Sequence, residues 1–407
     1  MKLPDGWEMH HLRELFSSRK EKGIEGLPTL SVTINNGLVD RSSIEKKTDT
    51  NLSPQEHLLI RKGDLAYNMM RMWQGAFGLA DYDGLVSPAY VVLSPTDRID
   101  SKFAFYWFKS PRMIYLFWAY SYGLTGDRLR LYFKDFTKIK NIIPLLPEQK
   151  AIADMLSTWD EAIEKTERLI QAKEKLFRGL LYSLISNQYS KNNEKDIEWK
   201  KVKLGEICEV ITSNVDKKTM HGEKHVRLCN YMDVYKNYYI TSKLDFMSAS
   251  ATPNEIQKYQ LQNHDVLLTK DSETPDDIAN SACVLEASEN LLCGYHLTIL
   301  RPKKGLFGPY LNFALHTPRI RYEFSRQANG ATRFGLNMSA YNMVELSLPP
   351  LEEQKQIAET LSTTQHEIDL LNQLAEKYKT QKRGLMKKML TGEWRVEEEI
   401  IKQYSEA

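Results

Sequence analysis

The pattern of hydrophobic and polar positions is clearest in two segments, 144–185 and 349–392. In both segments apolar or neutral residues recur at alternating steps of four and three residues, the heptad spacing of a coiled-coil helix. Lys173 and Lys382 are the charged residues that interrupt it. The predicted seam includes Ile152, Leu156, Ile163, Ile170 and Phe177 in the first segment, and Ile357, Leu361, Ile368, Leu371 and Leu385 in the second. A helix of about forty residues is about 60 Å long, and because its stripe alone would stay in water, we expect the two helices to pack on each other.

The two segments are copies of each other. Pro144–Thr158 aligns with Pro349–Thr363 without a gap at an offset of 205 residues, and the register continues to Arg178-Gly179-Leu180 against Arg383-Gly384-Leu385. A weaker match extends upstream, where Arg128 and Leu131 stand opposite Arg333 and Leu336. The chain is therefore an internal duplication, in which a variable domain precedes a near-constant helix twice.

The variable domains read as mixed α and β structure. Short β-rich runs at 89–93 and 296–300 lie between glycine and proline residues, and helical patterns follow at 101–119 and 308–326. The aromatic stretch Phe103–Tyr122 is interrupted by Lys109, Pro111 and Arg112, so we interpret it as a buried helix rather than a membrane span. The predicted organisation is a first domain at 1–143, a helix at 144–185, a polar linker at 186–197, a second domain at 198–348, a helix at 349–392 and a tail at 393–407.

Composition narrows the classes of function. The chain has 407 residues with 55 Lys+Arg against 53 Asp+Glu, a net charge of +2, so any nucleic-acid binding must rest on local patches. The four cysteines, Cys208, Cys229, Cys283 and Cys293, lack the spacing of a zinc site and are interpreted as reduced structural residues of a cytoplasmic protein. No phosphate-binding loop and no Asn/Asp-Pro-Pro-aromatic methyltransferase motif is present, which disfavours an enzyme.

Two unlike domains separated by two like helices suit a target with two separated features. Asymmetric duplex DNA, read at two half-sites about one helical turn apart, is the natural candidate. The equal helices would offer one repeated surface to two copies of a partner.

Polar and basic residues of the first domain supply candidate DNA contacts. After the turn at Gly63-Asp64, Asn68, Arg71 and Gln74 have side chains that form bidentate contacts with base edges, and Trp73 can stack at an unstacked step. The alternative is a strand and hairpin with the Met and Trp side chains in the core. Further along, the basic residues alternate with apolar ones as on a strand edge, which favours phosphate contacts over the alternative of a solvated strand face. These residues are Arg128, Arg130 and Lys134.

The second domain carries candidates at corresponding places. Its loop equivalent to Asn68–Trp73 contains Lys270, suited to phosphate, with Ser272 and Thr274, suited to a base or the backbone. The remaining candidates are Arg227, Asn230, Arg333 and Asn337. Arg333 matches Arg128, so the same place is basic in both halves.

The chain resembles a specificity (S) subunit of a type I restriction-modification system. The resemblance is carried by LPDGWEMHHL, RKGDLAYNMMRMWQGAFG and SPAYVVLSP in the first half, by RLCNYMDVYKN, DVLLTKDSETPDDIA and GATRFGLN in the second, and by PLLPEQKAIA and PPLEEQKQIA in the helices. It implies an α+β protein with two target-recognition domains, each reading half of a split DNA site. The two helices would form an antiparallel coiled coil with a pseudo-twofold repeat.

The resemblance also implies the partners. The coiled coil would bind two methyltransferase (modification) subunits and, through them, the restriction/motor subunits. S-adenosylmethionine, ATP and Mg²⁺ would be bound by those subunits, and this chain would hold no cofactor or metal and catalyse no reaction. Two alternatives stay open: a coiled-coil interaction scaffold that does not read DNA, and an enzyme with its own nuclease or methyltransferase site.

Overall fold

The computed structural model describes residues 4–44, 52–186 and 199–405. The chain divides into two compact units, one formed by Met1–Glu167 with Gln373–Ala407 and the other by Arg168–Asn372. Each unit therefore contains a variable domain and part of both long helices. Apart from Ser186, the predicted linker 186–197 lies outside the described residues.

The first unit is built on a four-stranded antiparallel sheet. The strands of the whole unit are β1 (Trp7–His11), β2 (Phe16–Arg19), β3 (Leu30–Thr33), β4 (Gly37–Asp40), β5 (Leu58–Ile60), β6 (Leu65–Asn68), β7 (Phe77–Leu79), β8 (Gly84–Val86), β9 (Tyr90–Pro95) and β10 (Lys140–Pro144). The sheet has the order β2-β9-β6-β7, and the pairs β3-β4, β5-β8 and β1-β10 are separate. Leu65, Tyr67 and Leu93 alternate toward one core, while Ala66 and Val92 face a smaller one.

Helices cover the larger core of this unit. They are α1 (Leu12–Leu15), α2 (Ser101–Phe108), α3 (Pro111–Ala119), α4 (Phe133–Phe136) and α5 (Leu146–Ile185). The helix expected over 103–122 is thus two helices. The break has a local cause, because the Ser110 hydroxyl accepts a hydrogen bond from the Met113 N–H as an N-cap and Pro111 occupies the first helical position.

The second unit contains a five-stranded and a three-stranded sheet. Its strands are β11 (Lys200–Lys203), β12 (Cys208–Thr212), β13 (Lys224–Cys229), β14 (Tyr239–Ile240), β15 (Met247–Ala251), β16 (Val266–Thr269), β17 (Asp271–Ser272), β18 (Ser281–Val284), β19 (Leu291–Cys293), β20 (Leu297–Pro302), β21 (Phe334–Gly335) and β22 (Glu345–Leu348). The larger sheet has the order β12-β20-β16-β18-β14 and the smaller β15-β13-β19, with β11-β22 and β17-β21 as separate pairs.

The later helices repeat the plan of the first half. They are α6 (Leu204–Ile207), α7 (Tyr231–Lys236), α8 (Pro253–Tyr259), α9 (Gly308–Leu315), α10 (Pro318–Gln327), α11 (Met338–Met343), α12 (Leu351–Met389) and α13 (Glu398–Gln403). As in the first half, the helical stretch predicted at 308–326 breaks before a proline, Pro318. The tail predicted at 393–407 contains α13 and belongs to the first unit.

All ten predicted seam residues are at least partly buried. Seven are less than 9% exposed: Ile152, Leu156, Ile170, Phe177, Ile357, Leu361 and Ile368. The seam also reaches into the domain cores, since Ile152 and Leu156 pack in the core of the first unit and Ile357 and Leu361 in that of the second.

Within each unit the two helices contact each other, and the lysines that interrupt the heptad pattern take part. In the first unit Lys382 pairs with Asp160, and the rings of Trp159 and Tyr378 meet edge to face with centroids 5.7 Å apart. In the second unit the Lys173 ammonium lies 2.6 Å from the Glu367 carboxylate. A positive charge is therefore tolerated in the stripe because a carboxylate on the facing helix compensates it.

A buried glutamine joins each long helix to its domain. The Gln149 amide donates to the carbonyls of Arg98 and Pro144 at 3.0 and 2.9 Å, and its oxygen accepts the Asp100 N–H at 2.9 Å. Gln354, its counterpart, donates to the Gly305 and Pro349 carbonyls at 2.9 and 2.8 Å and accepts the Phe307 N–H at 2.8 Å. We call these the glutamine locks.

Three further findings concern the described parts of the chain. No helix there is long and apolar enough to cross a membrane. Within the same residues no group of His, Cys, Asp and Glu side chains has the geometry to hold a metal ion. The four cysteines are free and buried, and burial raises the pKa of the Cys208 thiol to about 12.

Candidate nucleic-acid interface

The β6–β7 connection in the first unit presents its polar side chains unequally. Asn68 ends β6, and its side-chain oxygen accepts the Met70 N–H at 3.0 Å, so the amide shapes the turn. The Trp73 indole N–H donates to the Met70 carbonyl at 3.0 Å within a 3₁₀ turn. Arg71 and Gln74 are exposed. Two of the four candidates here hold the loop, and two point outward.

A second loop lies against this one. The backbones of Tyr122 and Arg130 exchange two hydrogen bonds of 3.0 and 2.8 Å, which close a hairpin-like excursion that we call the 123–129 loop. Directly after it, the Leu131 N–H donates to the Met69 carbonyl at 2.9 Å. Backbone pairing therefore brings Arg71 and Gln74 into the same region as Arg128 and Arg130.

The strand predicted for the basic stretch Arg128–Lys134 is wrong. Only Arg130 forms an isolated bridge, and the chain then enters the helical turn α4. Burial does alternate at the start of the stretch, because Leu131 is fully buried between exposed neighbours. Phe133 and Phe136 then follow at helical spacing, and both pack against the core. Lys134 is exposed on that turn.

The second unit repeats this arrangement with a shorter loop. The Leu336 N–H donates to the Lys270 carbonyl at 2.9 Å, as Leu131 does to Met69, and the backbones of Asn329 and Gly335 exchange hydrogen bonds of 3.0 and 2.9 Å. Residues between them form the 330–334 loop. A Cβ on Gly330 would lie 1.9 Å from the Arg333 carbonyl oxygen, and one on Gly123 would lie 2.4 Å from that of Arg128. Both loops thus need glycine where the backbone folds against the matched arginine.

Arg333 is held by a carboxylate that has a second partner. Its guanidinium lies 2.9 Å from one oxygen of Asp271, and the His296 Nδ1 lies 2.7 Å from the other. The hydrogen bond and charge of Asp271 raise the pKa of Arg333. Since the arginine side chain remains 62% exposed, the network orients the guanidinium without covering it.

Lys270 is less available than its sequence position suggests. Its ammonium donates to the Ser213 carbonyl at 3.0 Å and lies 4.8 Å from the centre of the Tyr295 ring. Burial lowers the pKa of this lysine. In the same loop the Ser272 hydroxyl is buried and donates to the Thr274 carbonyl at 2.5 Å, whereas Thr274 itself is exposed.

The remaining candidates of the second unit have local partners. The Arg227 guanidinium donates to the Ser288 hydroxyl at 2.6 Å and lies 5.7 Å from the Phe246 ring. Asn230 precedes α7, and its side-chain amide donates to the Leu228 carbonyl at 3.3 Å. The Asn337 side chain caps α11 by accepting the Ala340 N–H at 3.1 Å. Of the seven candidates in this unit, Thr274 is exposed without such a side-chain partner, and Arg333 stays largely exposed although Asp271 binds it.

Sequence reasoning missed Asp271, His296 and Leu124 as members of these surfaces. Asp271 and His296 meet only through the fold. The sequence does contain a signal for Leu124. The aligned stretches GLTGDRLRL (123–131) and GATRFGL (330–336) place this large apolar residue opposite Ala331, so the two halves differ there.

Three exposed arginines on the two paired loops of the first unit keep an uncompensated charge. Among the residues that the structure describes, Arg71, Arg128 and Arg130 form no ion pair. A surface of this kind, with an exposed Gln74 beside it, suits a phosphate backbone and the edges of bases.

A profile described as the type I restriction modification DNA specificity domain matches residues 4–174 and 196–379 of the chain. Two curated relatives from Methanocaldococcus jannaschii are similar. The MjaX specificity subunit, assigned to a type I restriction enzyme, is 29% identical over 196 residues, which are 48% of this chain and 46% of that protein. The MjaVIII specificity subunit of a type I restriction enzyme is 23% identical over 273 residues, 65% and 64% of the two chains. The chain thus spans between about half and two thirds of the length of these relatives.

Solved structures share the fold. The S subunit of a type I restriction-modification system from M. genitalium superposes with a TM-score of 0.58 at 18% identity, covering 96% of this chain and 98% of that one. At this identity the likeness concerns the fold alone.

Proposed function

Because this chain belongs to the family of type I restriction-modification DNA specificity domains, we propose that it reads a split, asymmetric DNA site, one half-site with each unit. It would direct modification subunits, and through them restriction/motor subunits, to that site. The family membership disfavours the alternative of a coiled-coil scaffold that does not read DNA.

The observation that carries this proposal is the repeated pairing of two loops. In both units a loop that follows a central strand is bonded to a second loop with an arginine at the matched position, Arg128 or Arg333. The loop residues that differ between the two units are thus held by the same backbone hydrogen bonds in both. A scaffold has no use for exposed polar and basic side chains at equivalent places in both halves.

The contacts divide the candidates into two roles. We assign Arg71 and Gln74 to base edges in the first half-site, and Arg128, Arg130 and Lys134 to phosphates. For the second half-site we assign Arg333 and Thr274 to direct contact. The other candidates, whose side chains bond to neighbouring groups of the protein, would hold the structure around these loops: Asn68, Trp73, Arg227, Asn230, Lys270, Ser272 and Asn337.

The two long helices are proposed to form an antiparallel coiled coil that gives the molecule a pseudo-twofold repeat. The pairs Lys382–Asp160 and Lys173–Glu367 support this, since in each pair a residue late in one helix meets one early in the other. The outer faces of these helices would bind two modification subunits in the cytoplasm. We place S-adenosylmethionine, ATP and Mg²⁺ on the partner subunits, and no reaction on this chain.

Selection from a random duplex library tests the proposal. The full chain, co-purified with its modification subunit, should select a split motif with a fixed gap. Arg71→Ala should relax the preference at the first half-site by roughly tenfold or more and Arg333→Ala that at the second, because a bidentate base contact contributes about 1–3 kcal/mol. Arg13→Ala, an exposed arginine on α1, serves as the control. A stable protein complex that selects no motif would instead favour the scaffold.

The helix pairing has its own test. Ile163→Asp and Ile368→Asp should each prevent assembly with the modification subunit, because a carboxylate would replace a packed side chain in the seam. Ile163→Leu and Ile368→Leu, which keep an apolar side chain in the seam, should assemble. Normal assembly of both aspartate variants would refute the coiled coil.

A further inference from the structure

Leu124 is the most exposed large apolar side chain of the described chain. Its relative exposure is 102%, so no neighbouring residue covers it. It lies in the 123–129 loop, whose residues 123–128 are all exposed. An isolated leucine at a loop tip contributes nothing to the core of the unit, since apolar surface left in water is not stabilising.

The loop that carries Leu124 is held in shape by its backbone. Its base is closed by the two hydrogen bonds between Tyr122 and Arg130, and a turn inside it is closed by the Arg128 N–H and the Thr125 carbonyl at 3.0 Å. The contact of Gly123 with the Arg128 carbonyl oxygen leaves no room for a side chain there. The leucine is therefore presented on a formed loop.

The charges around Leu124 indicate what it meets. Arg128 and Arg130 are exposed on the same loop and its base, against a single carboxylate, Asp127. The bond between Leu131 and Met69 places the loop beside Arg71 and Gln74. An apolar tip inside a cationic surface is poorly suited to an apolar protein groove, and well suited to a duplex whose phosphates meet the arginines.

The matched loop of the second unit lacks this feature. Aligned from Gly330, it carries Ala331 where the first has Leu124, and it is two residues shorter, without counterparts of Gly126 and Asp127. The two units therefore present different tips on an equivalent frame.

We propose that Leu124 is a wedge that inserts between adjacent base pairs at the first half-site and partly unstacks them, whereas the second unit leaves its half-site stacked. Apolar side chains used in this way kink DNA, and sequences differ in how readily a step opens. Leu124 would thus add a sequence preference for a flexible step without any hydrogen bond to a base. This inference rests on the proposed DNA-reading function.

The test uses the full chain in complex with its modification subunit and a duplex that contains the selected site. A 2-aminopurine is placed at each position across and beside the two half-sites in turn. Wherever the modification subunit extrudes a base for methylation, the fluorescence should rise in both half-sites. A further rise, away from that base, should appear at one step of the first half-site when the complex binds, and at no step of the second. Leu124→Ala, which copies Ala331, should abolish this further rise and weaken binding by about threefold to thirtyfold, the scale of an apolar contact of this size.

Leu285→Ala is the matched control, because Leu285 is a leucine of the second unit that is 37% exposed and directly follows β18, outside both loops. It should keep both the fluorescence and the affinity. Sequence-specific binding without this further rise, or a further rise that survives Leu124→Ala, would overturn the wedge and leave the proposed function standing. If Leu124→Ala instead disrupts assembly with the modification subunit, the tip is a protein contact and the wedge is wrong. Failure of the unmodified complex to select any sequence would overturn the proposed function itself.

Discussion

At the scale of single residues, the loop surface proposed to read the second half-site depends on side chains that are not themselves proposed to contact DNA. Asp271 is 15% exposed and accepts from both His296 and Arg333. Its two oxygens are thereby assigned to different partners, and the arginine is directed by a residue that has a fixed orientation. An isolated exposed ion pair would restrict a guanidinium far less.

Changing Asp271 to Asn should therefore relax recognition of the second half-site. The amide loses the charge that holds Arg333 and can accept through only one oxygen, so we expect a loss of preference of about tenfold at that half-site, the scale of one base contact. Library selection of the variant complex measures it. Glu273→Gln removes the same charge nearby and should keep the preference. Equal relaxation in both variants would mean that only the total charge matters.

His316 gives the second unit a dependence on pH. Its Nε2 lies 3.0 Å from the Ser281 carbonyl oxygen and its ring lies 4.5 Å from that of Tyr238. Burial lowers the pKa of His316 to about 4, below the value of about 6.5 in an unfolded chain. The neutral form is favoured in the folded state, so its stabilising contribution is complete above about pH 6.5 and is lost as the pH falls toward 4.

Replacing His316 with Gln should remove this dependence. Between pH 7 and pH 4 the stability of the unmodified chain should fall by about 2 kcal/mol more than that of the variant, after allowing for partial exposure of the ring. Urea denaturation at a series of pH values provides the comparison. Parallel pH profiles for the two proteins would show that His316 is not responsible.

The sequence indicated which residues are candidates for DNA contact, but not which protein groups their side chains bind. Arg333 was identifiable from its match with Arg128, because the duplication fixes the alignment. Lys270 was expected at phosphate, yet its ammonium is bound to Ser213, which is 57 residues away. Such pairings depend on which strands become neighbours, and one sequence does not reveal them.

At the scale of elements, the glutamine locks explain why the repeated motif contains Gln149 and Gln354. Each amide is at most 1% exposed, and every one of its hydrogen bonds goes to a backbone group. The start of the helix is thereby fixed to the loop before α2 or α9.

Gln354→Ala should lower the free energy of unfolding by about 2 kcal/mol, because two carbonyls and one N–H lose their partner and the Pro349 carbonyl among them belongs to a buried residue. Gln356→Ala, two residues later and exposed, should change it by less than about 0.5 kcal/mol. Urea denaturation of the full chain compares them. A loss no greater than that of Gln356→Ala would show that water replaces the amide without cost.

The two long helices could be predicted from the hydrophobic periodicity of the sequence, whereas the short elements could not. The heptad stripe extends over α5 and α12, where many residues report the same pattern. For Arg128–Lys134, a few alternating residues were compatible with a strand, and the spacing of Phe133 and Phe136 decided for a helical turn. The heptad pattern also could not show that predicted seam residues such as Ile152 pack in the core of a domain.

At the scale of the whole molecule, the first unit is completed by residues from the far end of the chain. Met389, Leu390 and Val396 are at most 5% exposed in its core. Arg395 binds both oxygens of Glu148 at 2.6 and 2.9 Å and donates to the Asp5 carbonyl at 2.6 Å. The duplication was visible in the sequence, but the closure of one unit by both ends of the described chain was not, because 393–407 has no counterpart with a recognisable pattern.

Arg395→Met should destabilise the first unit by about 2 kcal/mol, because Glu148 would keep a buried charge without a partner. Combining it with Glu148→Gln should recover part of that loss. Differential scanning calorimetry of the two single variants and the double variant gives the coupling energy. Strictly additive effects would mean that the two side chains stabilise the unit independently.

The glutamine locks have a consequence for how new specificities arise. Every group that Gln149 or Gln354 binds is a peptide carbonyl or N–H, which any substitution at those positions except proline leaves in place. These hydrogen bonds therefore demand no particular side chains of a foreign domain with the same local backbone path, whose core needs only to accept Ile152 and Leu156 or their counterparts Ile357 and Leu361. Under the proposed function, recombination at this junction would exchange the DNA sequence that is read while the surface offered to the modification subunits stays constant, so that a lineage could change its target in a single step.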